Sequence, residues 1–422
     1  MEQTRPHILM IAYHFPPGQA IGGFRAYRFY KYLERMGYVV HVLTAQPREL
    51  NGCKNVISIP DHVGKIWEGS SKEGLSFKGY LELIFRKIFF PGQTGLVWSF
   101  DVAARCRQIF RDHPQSQFVL FSTFPPLGVV LAGFWVQRHA KIPWIADFRD
   151  PIGVGLKVGY YSRWMRLCNH IMERSVFRDT DAVIANTQAA ADMFAARYPW
   201  ACSKLHVIWN GYDPENQFRA RAIPARAQKV IIHAGSLYPG RDPSLIIESL
   251  LRLGTNGLAQ AEQACILLLG AIDLHKIGVN AELYERAQHE GWLQCVPQVP
   301  RSEAQRMTEE ADGLLLVQPQ TDVQVPGKLF EYICIGRPIL ALVPRKFAVE
   351  HILESAGVPY VCIYTDDRLG DVDQKVLDFL SIPSQPTPYS DWFGNNFDGN
   401  LQAKQMAGIV EEISLSSSSL LL

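Results

Sequence analysis

The sequence has almost no surplus charge and no paired-cysteine pattern. Its 422 residues include 42 Lys and Arg against 41 Asp and Glu, so the whole chain has no field that attracts nucleic acid, and nucleic acid is not an expected partner. None of the eight cysteines forms a Cys-x-x-Cys pair, which argues against a disulfide framework or a zinc site and favours a reducing compartment. No two of the twelve histidines stand four residues apart, so no metal site is predicted.

Long hydrophobic runs are also scarce, and only one stretch has to be weighed as a membrane span. Residues 114–137 carry no charge and are long enough to cross a bilayer. Pro125 and Pro126 break the stretch in its middle, and the piece on either side is too short to span. We therefore predict a strand at Phe118–Ser122, a loop at Thr123–Leu127 and then a buried helix.

Two further signals are missing from the sequence. No Gly-x-Ser-x-Gly occurs, so hydrolase chemistry lacks its nucleophile elbow. The first six residues are polar and the apolar run behind them is short, which is unlike a secretory signal. Together with the scattered cysteines, this predicts a cytoplasmic protein.

What the sequence does contain is a regular alternation of short apolar strands and helical stretches. Fully apolar strands that alternate with helices indicate a parallel sheet with helices on both faces, an α/β fold. The predicted strands are His7–Tyr13, Val39–Thr44, Phe118–Ser122, Trp144–Ala146, Ala182–Ala185, Leu205–Trp209, Val230–Ala234, Cys265–Leu269, Gln294–Val296, Gly313–Val317, Ile339–Leu342 and Tyr360–Ile363.

The alternation stops and restarts near the middle of the chain. The stretch Asp213–Gln228 is polar, basic and carries two prolines, which is typical of a linker. We predict a first domain over residues 1–213 and a second over residues 214–422, the latter with a closing helix at about 392–413 that packs back on the first domain. The expected architecture is two doubly wound domains that face a cleft, with ligands outside the carboxyl ends of the strands.

The first candidate site follows the first predicted strand. The loop from His14 to Gly23 opens a helix, and glycines there would let a ligand approach the backbone and the helix amides. The loop lacks the Gly-x-Gly-x-x-Gly spacing of dinucleotide sites, and a plain strand–helix turn is the alternative. Arg25 opposes the helix dipole, so we predict that it is held for a ligand phosphate.

Three charged residues form a second candidate site. They follow directly in sequence after the predicted strand Trp144–Ala146. They are Asp147, Arg149 and Asp150. A carboxylate at the end of a strand can orient a substrate hydroxyl or accept its proton, so we assign Asp147 to catalysis and Arg149 and Asp150 to the acceptor side. The alternative is an internal Asp–Arg pair that braces the loop.

The second domain offers two sites for a diphosphate. Arg241 stands beside a predicted helix that starts with Asp242 and Pro243, where guanidinium and helix amides could grip an anion together. Lys328 and Glu331 lie three residues apart at the start of another helix and so share a face. Lys328 would contact the diphosphate and Glu331 two ribose hydroxyls. The alternatives are a solvated Arg241 and a Lys–Glu surface pair.

Two other segments carry weaker signals. Asp371 and Asp373 match the Asp-x-Asp of metal-using sugar transferases, but we predict that they lie in a polar loop near the end, and chance is the better explanation. The segment Ser76–Phe90 mixes three basic residues with many large apolar ones. It predicts either contact with a membrane interface or a core helix with a solvated edge.

These elements together resemble the family 4 glycosyltransferases of the GT-B fold, over nearly the whole chain. Their order and spacing carry the resemblance: YHFPPGQAIGGFRAYRFYKYLERMGYVVHVLT, STFPP, PWIADFRDPIG, VIANT, VIWNGYDPENQF, HAGSLYPGRDP, VPRSEAQRMTEEADGLLLV and VPGKLFEYICIGRPILALV. The resemblance implies two Rossmann-like domains, the first for the acceptor and the second for a nucleotide-activated sugar. It also implies retention of anomeric configuration, no required metal and no cofactor besides the nucleotide-sugar substrate.

Matching positions in the family motifs assign the donor site. Gly22 and Gly23 would form a donor-phosphate loop, and Gly235 and Ser236 would begin the loop that leads to the basic residue Arg241. Gln298 would lie near the nucleobase, and Glu331 matches the second Glu of the Glu-x7-Glu motif.

Two positions depart from the family pattern. Val323 stands where the first Glu of the motif belongs, and Ser236 where Arg is frequent. Lys328 would then supply the missing cation.

The resemblance therefore predicts a hexosyl-type glycosyltransferase that moves a sugar from a nucleotide-sugar donor to a polysaccharide or lipid-linked acceptor. It would work in the cytoplasm, with peripheral contact at the inner face of the plasma membrane. Two alternatives stay open: a GT-B nucleotide-sugar epimerase, and a degenerate relative that acts as a binding or assembly subunit.

Overall fold

The chain forms two compact units. The computed structural model describes residues 5–16, 21–46, 53–61, 94–152, 163–216, 218–237, 240–258, 263–271, 280–319 and 323–419. The first unit runs to Asp213 and takes up the chain again at Gly399, whereas the second unit is Pro214–Asp398. The segment Ser76–Phe90, which was weighed as a membrane-interface helix, lies outside the described residues.

The first unit is built on a seven-stranded parallel sheet in the order β3-β2-β1-β4-β5-β6-β7. All of its strand pairs are parallel, and β4 and β5 are buried along their whole length. Burial of both faces explains why these strands are apolar runs without alternation. The strands are β1 His7–Ile11, β2 Val40–Thr44, β3 Val56–Ser58, β4 Phe118–Phe124, β5 Trp144–Phe148, β6 Ala182–Ala185 and β7 Leu205–Val207.

Helices follow most of these strands. Thr187 caps one of them, since its side chain accepts a hydrogen bond from the Ala190 amide at 3.0 Å. The first-unit helices are α1 Ile21–Arg35, α2 Trp98–Asp112, α3 Leu127–Ala140, α4 Arg163–Asp179 and α5 Gln188–Arg197, with a 3-10 turn at Pro199–Lys204.

The last helix of the chain belongs to the core of the first unit. Ala403, Met406 and Val410 are buried in the same apolar cluster as Ile8 of β1 and Leu33 of α1. The phenol of Tyr38 also donates to Glu411 at 2.6 Å. The first unit is therefore completed by residues that follow the whole second unit in sequence.

The second unit repeats the arrangement with a six-stranded parallel sheet, in the order β10-β9-β8-β11-β12-β13. Its strands are β8 Lys229–Ala234, β9 Ala264–Leu269, β10 Leu293–Val296, β11 Gly313–Val317, β12 Ile339–Val343 and β13 Tyr360–Tyr364. Its helices are α6 Ser244–Thr255, α7 Ala281–His289, α8 Arg301–Glu309, α9 Lys328–Ile335, α10 Ala348–Ala356, α11 Leu369–Ser381 and α12 Asp391–Phe397; α13 Gly399–Ser419 returns to the first unit.

The predicted fold class is confirmed, and all twelve predicted strands are present. The structure adds β3, a three-residue edge strand with half-buried side chains, which is too short to show a periodic pattern. Residues 118–140 form β4 and α3 rather than a membrane span, and no helix in the described residues is long and apolar enough to cross a bilayer.

The closing helix differs from the prediction. The structure has two helices in place of one over residues 392–413, because Asp398 adopts an extended conformation between them. Ser390 caps the first helix through the Phe393 amide, and the Gly399 amide donates to the Tyr212 carbonyl at 2.9 Å.

Two helices of the second unit end on glycines whose surroundings make a matched test. Gly336 and Gly357 have φ of +74° and +72°, where a side chain costs about 1–2 kcal/mol. A Cβ on Gly336 would overlap the Thr387 carbonyl, whereas one on Gly357 would meet nothing within 4 Å. We expect Gly336→Ala to destabilise the second unit by roughly 1–3 kcal/mol more than Gly357→Ala, measured by urea unfolding. Equal midpoints would contradict this packing of Thr387.

Candidate functional site

Each sheet has one point at which the strand order reverses. The reversal lies between β1 and β4 in the first unit and between β8 and β11 in the second. Crevices at the carboxyl ends of strands, at such points, are where open parallel sheets bind ligands.

A buried ion pair lies at the carboxyl end of the first sheet. The Arg25 guanidinium contacts the Asp147 carboxylate with Nη2 at 2.8 Å from Oδ1 and Nε at 3.1 Å from Oδ2. The Thr123 hydroxyl, on β4, donates to Oδ2 at 2.7 Å. Asp147 is fully buried and Arg25 is 3% exposed, so both oxygens of the carboxylate are occupied by protein donors.

The remaining donors of Arg25 hold the chain where it leaves the first sheet. Nη1 donates to the Trp209 carbonyl at 2.7 Å, and Nη2 donates to the Ile208 carbonyl at 2.8 Å. Arg25 was expected at a ligand phosphate because its charge opposes the dipole of α1. The structure gives another reason: Asp147 compensates the charge. The bracing Asp–Arg pair weighed as the alternative exists, but its arginine is Arg25 and not Arg149.

Arg149 lies across the start of α1. Its Nε donates to the Phe124 carbonyl at 3.1 Å and its Nη2 to the Pro125 carbonyl at 2.6 Å. A Cβ on Gly22 would overlap the Arg149 guanidinium. Gly22 and Gly23, predicted in the loop, belong to the first turn of α1, which begins three residues earlier than expected. Gly22 therefore lets a protein guanidinium approach the helix.

His14 is a residue of this site that sequence reasoning did not single out. Burial, reinforced by the charge of Arg149, lowers the pKa of His14 to about 4, so its imidazole is neutral near pH 7. Its Nδ1 is buried and has no hydrogen-bond partner among the described residues. Such an atom can take up a hydrogen bond from a ligand. Asp150 follows Arg149 in the bend after β5 and is half-buried.

The second unit has a cationic cluster at the end of β8. Lys328, the first residue of α9, extends toward Gly235, and a Cβ on that glycine would overlap the Lys328 ammonium. Gly235 has φ of +134°, a conformation that favours glycine. The ammonium lies 3.5 Å from Nε2 of His233. A residue without a side chain therefore makes room for a half-buried cation at the reversal point.

The protonation of His233 follows from its other contact. Nδ1 lies 2.9 Å from the Leu315 carbonyl, which can only accept, so Nδ1 carries the proton and Nε2 is an acceptor for Lys328. Burial and the charge of Lys328 hold the pKa of His233 well below its usual range. Sequence reasoning missed His233, although a histidine within the apolar strand KVIIHA was a visible signal.

Lys328 is only weakly basic in this setting. Burial, reinforced by the charge of Arg241 and opposed by that of Glu331, lowers its pKa to about 7. A cation held at its titration point next to another cation would gain free energy from an arriving anion. Perturbed groups of this kind cluster at functional sites.

The loop between β8 and α6 carries three further candidate positions. Arg241 is half-buried in the loop before α6, and Ser236 is exposed. Asp242 accepts hydrogen bonds from the Ser244 amide at 2.8 Å and from Tyr284 at 3.1 Å. Asp242 thus binds the first amide of α6, but the helix begins at Ser244 and its N-cap position is Pro243, so the predicted cap at Asp242 is one residue too early.

Glu331 is held by an arginine that the sequence had not indicated as functional. Its carboxylate pairs with Arg301, at the start of α8, at 3.2 Å, and both side chains are more than one-third exposed. Gln298 is exposed in the segment before Arg301. Lys328 and Glu331 share the first turn of α9 as predicted, but their side chains contact different neighbours, His233 and Arg301.

The Asp-x-Asp sequence lies on helix α11, away from a loop. Asp373 accepts from Ser249 at 2.6 Å and pairs with Arg252 at 2.7 Å, which is a structural role. Across the described part of the chain, no group of three or more His, Cys, Asp or Glu side chains is arranged to hold a metal ion.

Solved structures with the same fold indicate the class of protein. The chain is similar in structure to WaaG, a glycosyltransferase of lipopolysaccharide biosynthesis (14% identity, 95% of each chain, TM-score 0.57). It is also similar to Anabaena Alr3699/HepE in complex with UDP-glucose (14% identity, 98% of this chain and 100% of that one, TM-score 0.57). Starch Synthase IV of Arabidopsis thaliana bound to ADP and acarbose is a third such structure (10% identity, 97% and 99%, TM-score 0.59). This is the GT-B glycosyltransferase fold.

The sequence of the first unit gives a second, independent similarity. Residues 23–216 match the model of Glycosyltransferase Family 4. This match confirms the resemblance found in the motifs of the first unit. A search of curated proteins gives no match.

The buried pair generates a stability prediction. Asp147→Ala leaves Arg25 charged and buried, so we expect a loss of about 3–5 kcal/mol in the free energy of unfolding of the first unit. Asp179→Ala is the control, because its partner Arg178 is 64% exposed and such pairs contribute about 0–1 kcal/mol. Urea unfolding of both variants measures the difference. Similar losses would show that the pair does not anchor the first unit.

Proposed function

We propose that the protein is a retaining, metal-independent hexosyltransferase. It moves a sugar from a nucleotide-sugar donor, held by the second unit, to a polysaccharide or lipid-linked acceptor, taken by the first. The nucleotide sugar is its substrate, and no cofactor is required. The Family 4 match and the GT-B fold support transfer as the reaction class.

The observation that carries the donor site is the position of Lys328. A half-buried ammonium fills the space above Gly235, with the charge of Arg241 acting on it. Two cations beside a glycine at the reversal point of a parallel sheet suit a diphosphate, which needs both charge and close approach to the backbone. Glu331 would hold the ribose hydroxyls, and Gln298 and Ser236 would line the base and the phosphates.

Charge development explains how such a cluster would accelerate transfer. As the nucleoside diphosphate leaves, negative charge builds on its oxygens. A cation at ~4 Å contributes roughly 4 kcal/mol at an effective dielectric constant near 20. Lys328 and Arg241 together would supply a good part of the ~8–23 kcal/mol by which enzymes lower barriers. They would take the place that a metal ion has in other sugar transferases.

The structural neighbours guide the choice of donor. The HepE structures contain UDP or UDP-glucose, and Starch Synthase IV contains ADP. Nucleoside diphosphates of both bases are thus bound by proteins of this fold, and UDP- and ADP-sugars are the first candidates for this chain.

The acceptor side is proposed for the carboxyl end of the first sheet, around Arg149, Asp150 and His14. Asp147 was assigned to catalysis as an acceptor of a substrate proton. Its full burial and its bonds to Arg25 and Thr123 make it a positioning residue instead, because its oxygens already have donors. Arg25 is likewise left out of the proposed donor site, because its guanidinium already donates to Asp147 and to two backbone carbonyls.

Val323 supports one alternative function. It stands where the family has the first Glu of its motif, and its side chain cannot accept a hydrogen bond. A binding or assembly subunit with this departure would bind a nucleotide sugar without turnover on any acceptor.

A donor panel tests the proposal. UDP-, GDP-, ADP- and CMP-sugars are titrated by calorimetry, and a single binder is then incubated with and without glycan acceptors. Transfer with retained anomeric configuration supports the proposed reaction. Isomerisation of the donor without acceptor would assign an epimerase, binding without turnover an assembly subunit, and the absence of any binder would contradict the donor site.

Removal of either cation should weaken binding of the diphosphate. A charged hydrogen bond contributes ~1.5–3 kcal/mol, so we expect Lys328→Ala and Arg241→Ala each to raise the Kd of UDP or ADP by one to two orders of magnitude. Arg286→Ala, an exposed arginine of α7 in the same unit, should leave it unchanged. Calorimetry that shows no change for Lys328→Ala and Arg241→Ala would exclude the diphosphate site.

Binding should also depend on pH through Lys328. Its pKa of about 7 in the free protein means that the ammonium form is lost as the pH rises above 7, and an anion must then restore the proton. The Kd for UDP or ADP should therefore rise by up to about tenfold per pH unit above 7, with proton uptake on binding. Lys328→Arg keeps its charge and should abolish this dependence. A flat profile in the wild type would show that Lys328 does not meet the diphosphate.

A further inference from the structure

Helix α4 of the first unit exposes large apolar side chains to solvent. Trp164, Leu167 and Ile171 are 55%, 46% and 53% exposed. Their spacing of three and four residues places them in one stripe along the helix. A stripe of this kind, with a tryptophan in it, is unusual on a surface that faces only water.

Three arginines flank this stripe on one side, and a fourth, Arg178, lies within it. At about 100° per residue, the exposed residues follow one another around a single arc of roughly 160°. In order around that arc they are Arg166, His170, Arg163, Arg174, Leu167, Arg178, Ile171 and Trp164. Arg166, Arg163 and Arg174 occupy one side of the arc, and the apolar residues, with Arg178 among them, occupy the other. This is the pattern of an amphipathic interfacial helix.

Of the two acidic residues of α4, only Asp179 offsets a charge of the exposed face, that of Arg178. Glu173 is buried and pairs with Arg197. Asp179 is 20% exposed and pairs with Arg178, at the end of the helix. Because the whole chain has a net charge of only +1, the positive face of α4 is a local feature.

The surface continues beyond the helix. Trp200, in the 3-10 turn after α5, is 48% exposed. The Arg174 guanidinium lies 5.9 Å from the centre of its ring, and the Lys204 ammonium lies 5.8 Å from it. A second exposed tryptophan therefore lies beside the arginines of α4, again next to cationic groups.

We propose that this face of α4, with Trp200, docks the first unit on the surface of an anionic phospholipid bilayer, the helix axis lying in the membrane plane. Trp164, Leu167 and Ile171 would enter the boundary between headgroups and acyl chains, where tryptophan is favoured. The arginines would reach lipid phosphates while their aliphatic parts stay near the apolar stripe. A helix of 17 residues with this many charges lies on a bilayer and does not span it.

The charge pattern favours lipid over a protein partner. A continuous anionic surface complements a whole row of arginines without a fixed register, and the apolar stripe is one side chain wide. The proposal does not depend on sugar transfer, since none of its residues belongs to the donor site.

Vesicle flotation tests the docking face. Purified protein is mixed with vesicles of phosphatidylcholine and phosphatidylglycerol at about seven to three, or with phosphatidylcholine alone, at low and high salt. Wild type should float with the anionic vesicles only, and less at high salt. Trp164→Ala/Ile171→Ala and Arg163→Glu/Arg166→Glu should each lower the partition coefficient at least about tenfold.

The controls change equivalent residues on another helix. Phe100 of α2 is 56% exposed, and Arg107 and Arg111 of the same helix are exposed. Phe100→Ala and Arg107→Glu/Arg111→Glu should float as wild type does. Thermal unfolding and calorimetry with UDP or ADP are run on every variant, so that a folding defect or a failure of the donor site is recognised separately.

Three results would overturn the proposal. They are no flotation of wild type, equal flotation of the α4 variants, and equal binding to neutral vesicles. Sedimentation adds a fourth: if wild type self-associates and Trp164→Ala/Ile171→Ala does not, the face belongs to a second copy of the chain. If both α4 variants unfold, quenching of tryptophan fluorescence by brominated lipid in wild type decides, because absence of quenching excludes insertion of Trp164.

Discussion

The buried ion pair between Arg25 and Asp147 is the interaction on which the first unit's functional edge depends. One guanidinium joins helix α1, the carboxyl end of β5 and the chain at residues 208–209. Two charges taken out of water are stabilised only while each keeps its partners. The geometry of the candidate acceptor side is thus tied to a single contact, which also positions α1, whose Gly22 lies against the Arg149 guanidinium.

The second unit solves a different problem at its matching edge. Among the residues that the structure describes, Lys328 forms no ion pair with a carboxylate. Burial and the charge of Arg241 instead keep it weakly basic, next to His233. The carboxyl end of the first sheet is consequently fixed by an ion pair whose partners are both bound. The carboxyl end of the second sheet holds positive charge with which a phosphate can pair. This difference supports the proposed division into an acceptor side and a donor side.

Much of the fold could be predicted from the sequence because buried parallel strands are apolar along their whole length. The strand β3 could not, since three half-buried residues at an edge leave no pattern. The candidate residues were found because Asp147, Arg241 and Lys328 follow strands or precede helices. The partners of these residues could not be found in the same way. The contact of Arg25 with Asp147 joins positions 122 residues apart, and that of Arg301 with Glu331 depends on how two helices face each other. Sequence spacing reports on neighbours along the chain, and these contacts are set by the packing of the sheet.

The return of α13 to the first unit bears on how the chain is made. Ala403, Met406 and Val410 complete a core that begins with Ile8, yet the ribosome must first produce all of Pro214–Asp398. At ~5–20 residues per second this is a delay of roughly ten to forty seconds. During that time the nascent first unit exposes the apolar surface that α13 will cover, including the outer side of α1. The second unit, continuous in sequence, can fold first. The first unit stays incomplete until α13 has left the ribosomal exit tunnel, and its exposed apolar surface needs the protection of chaperones until then.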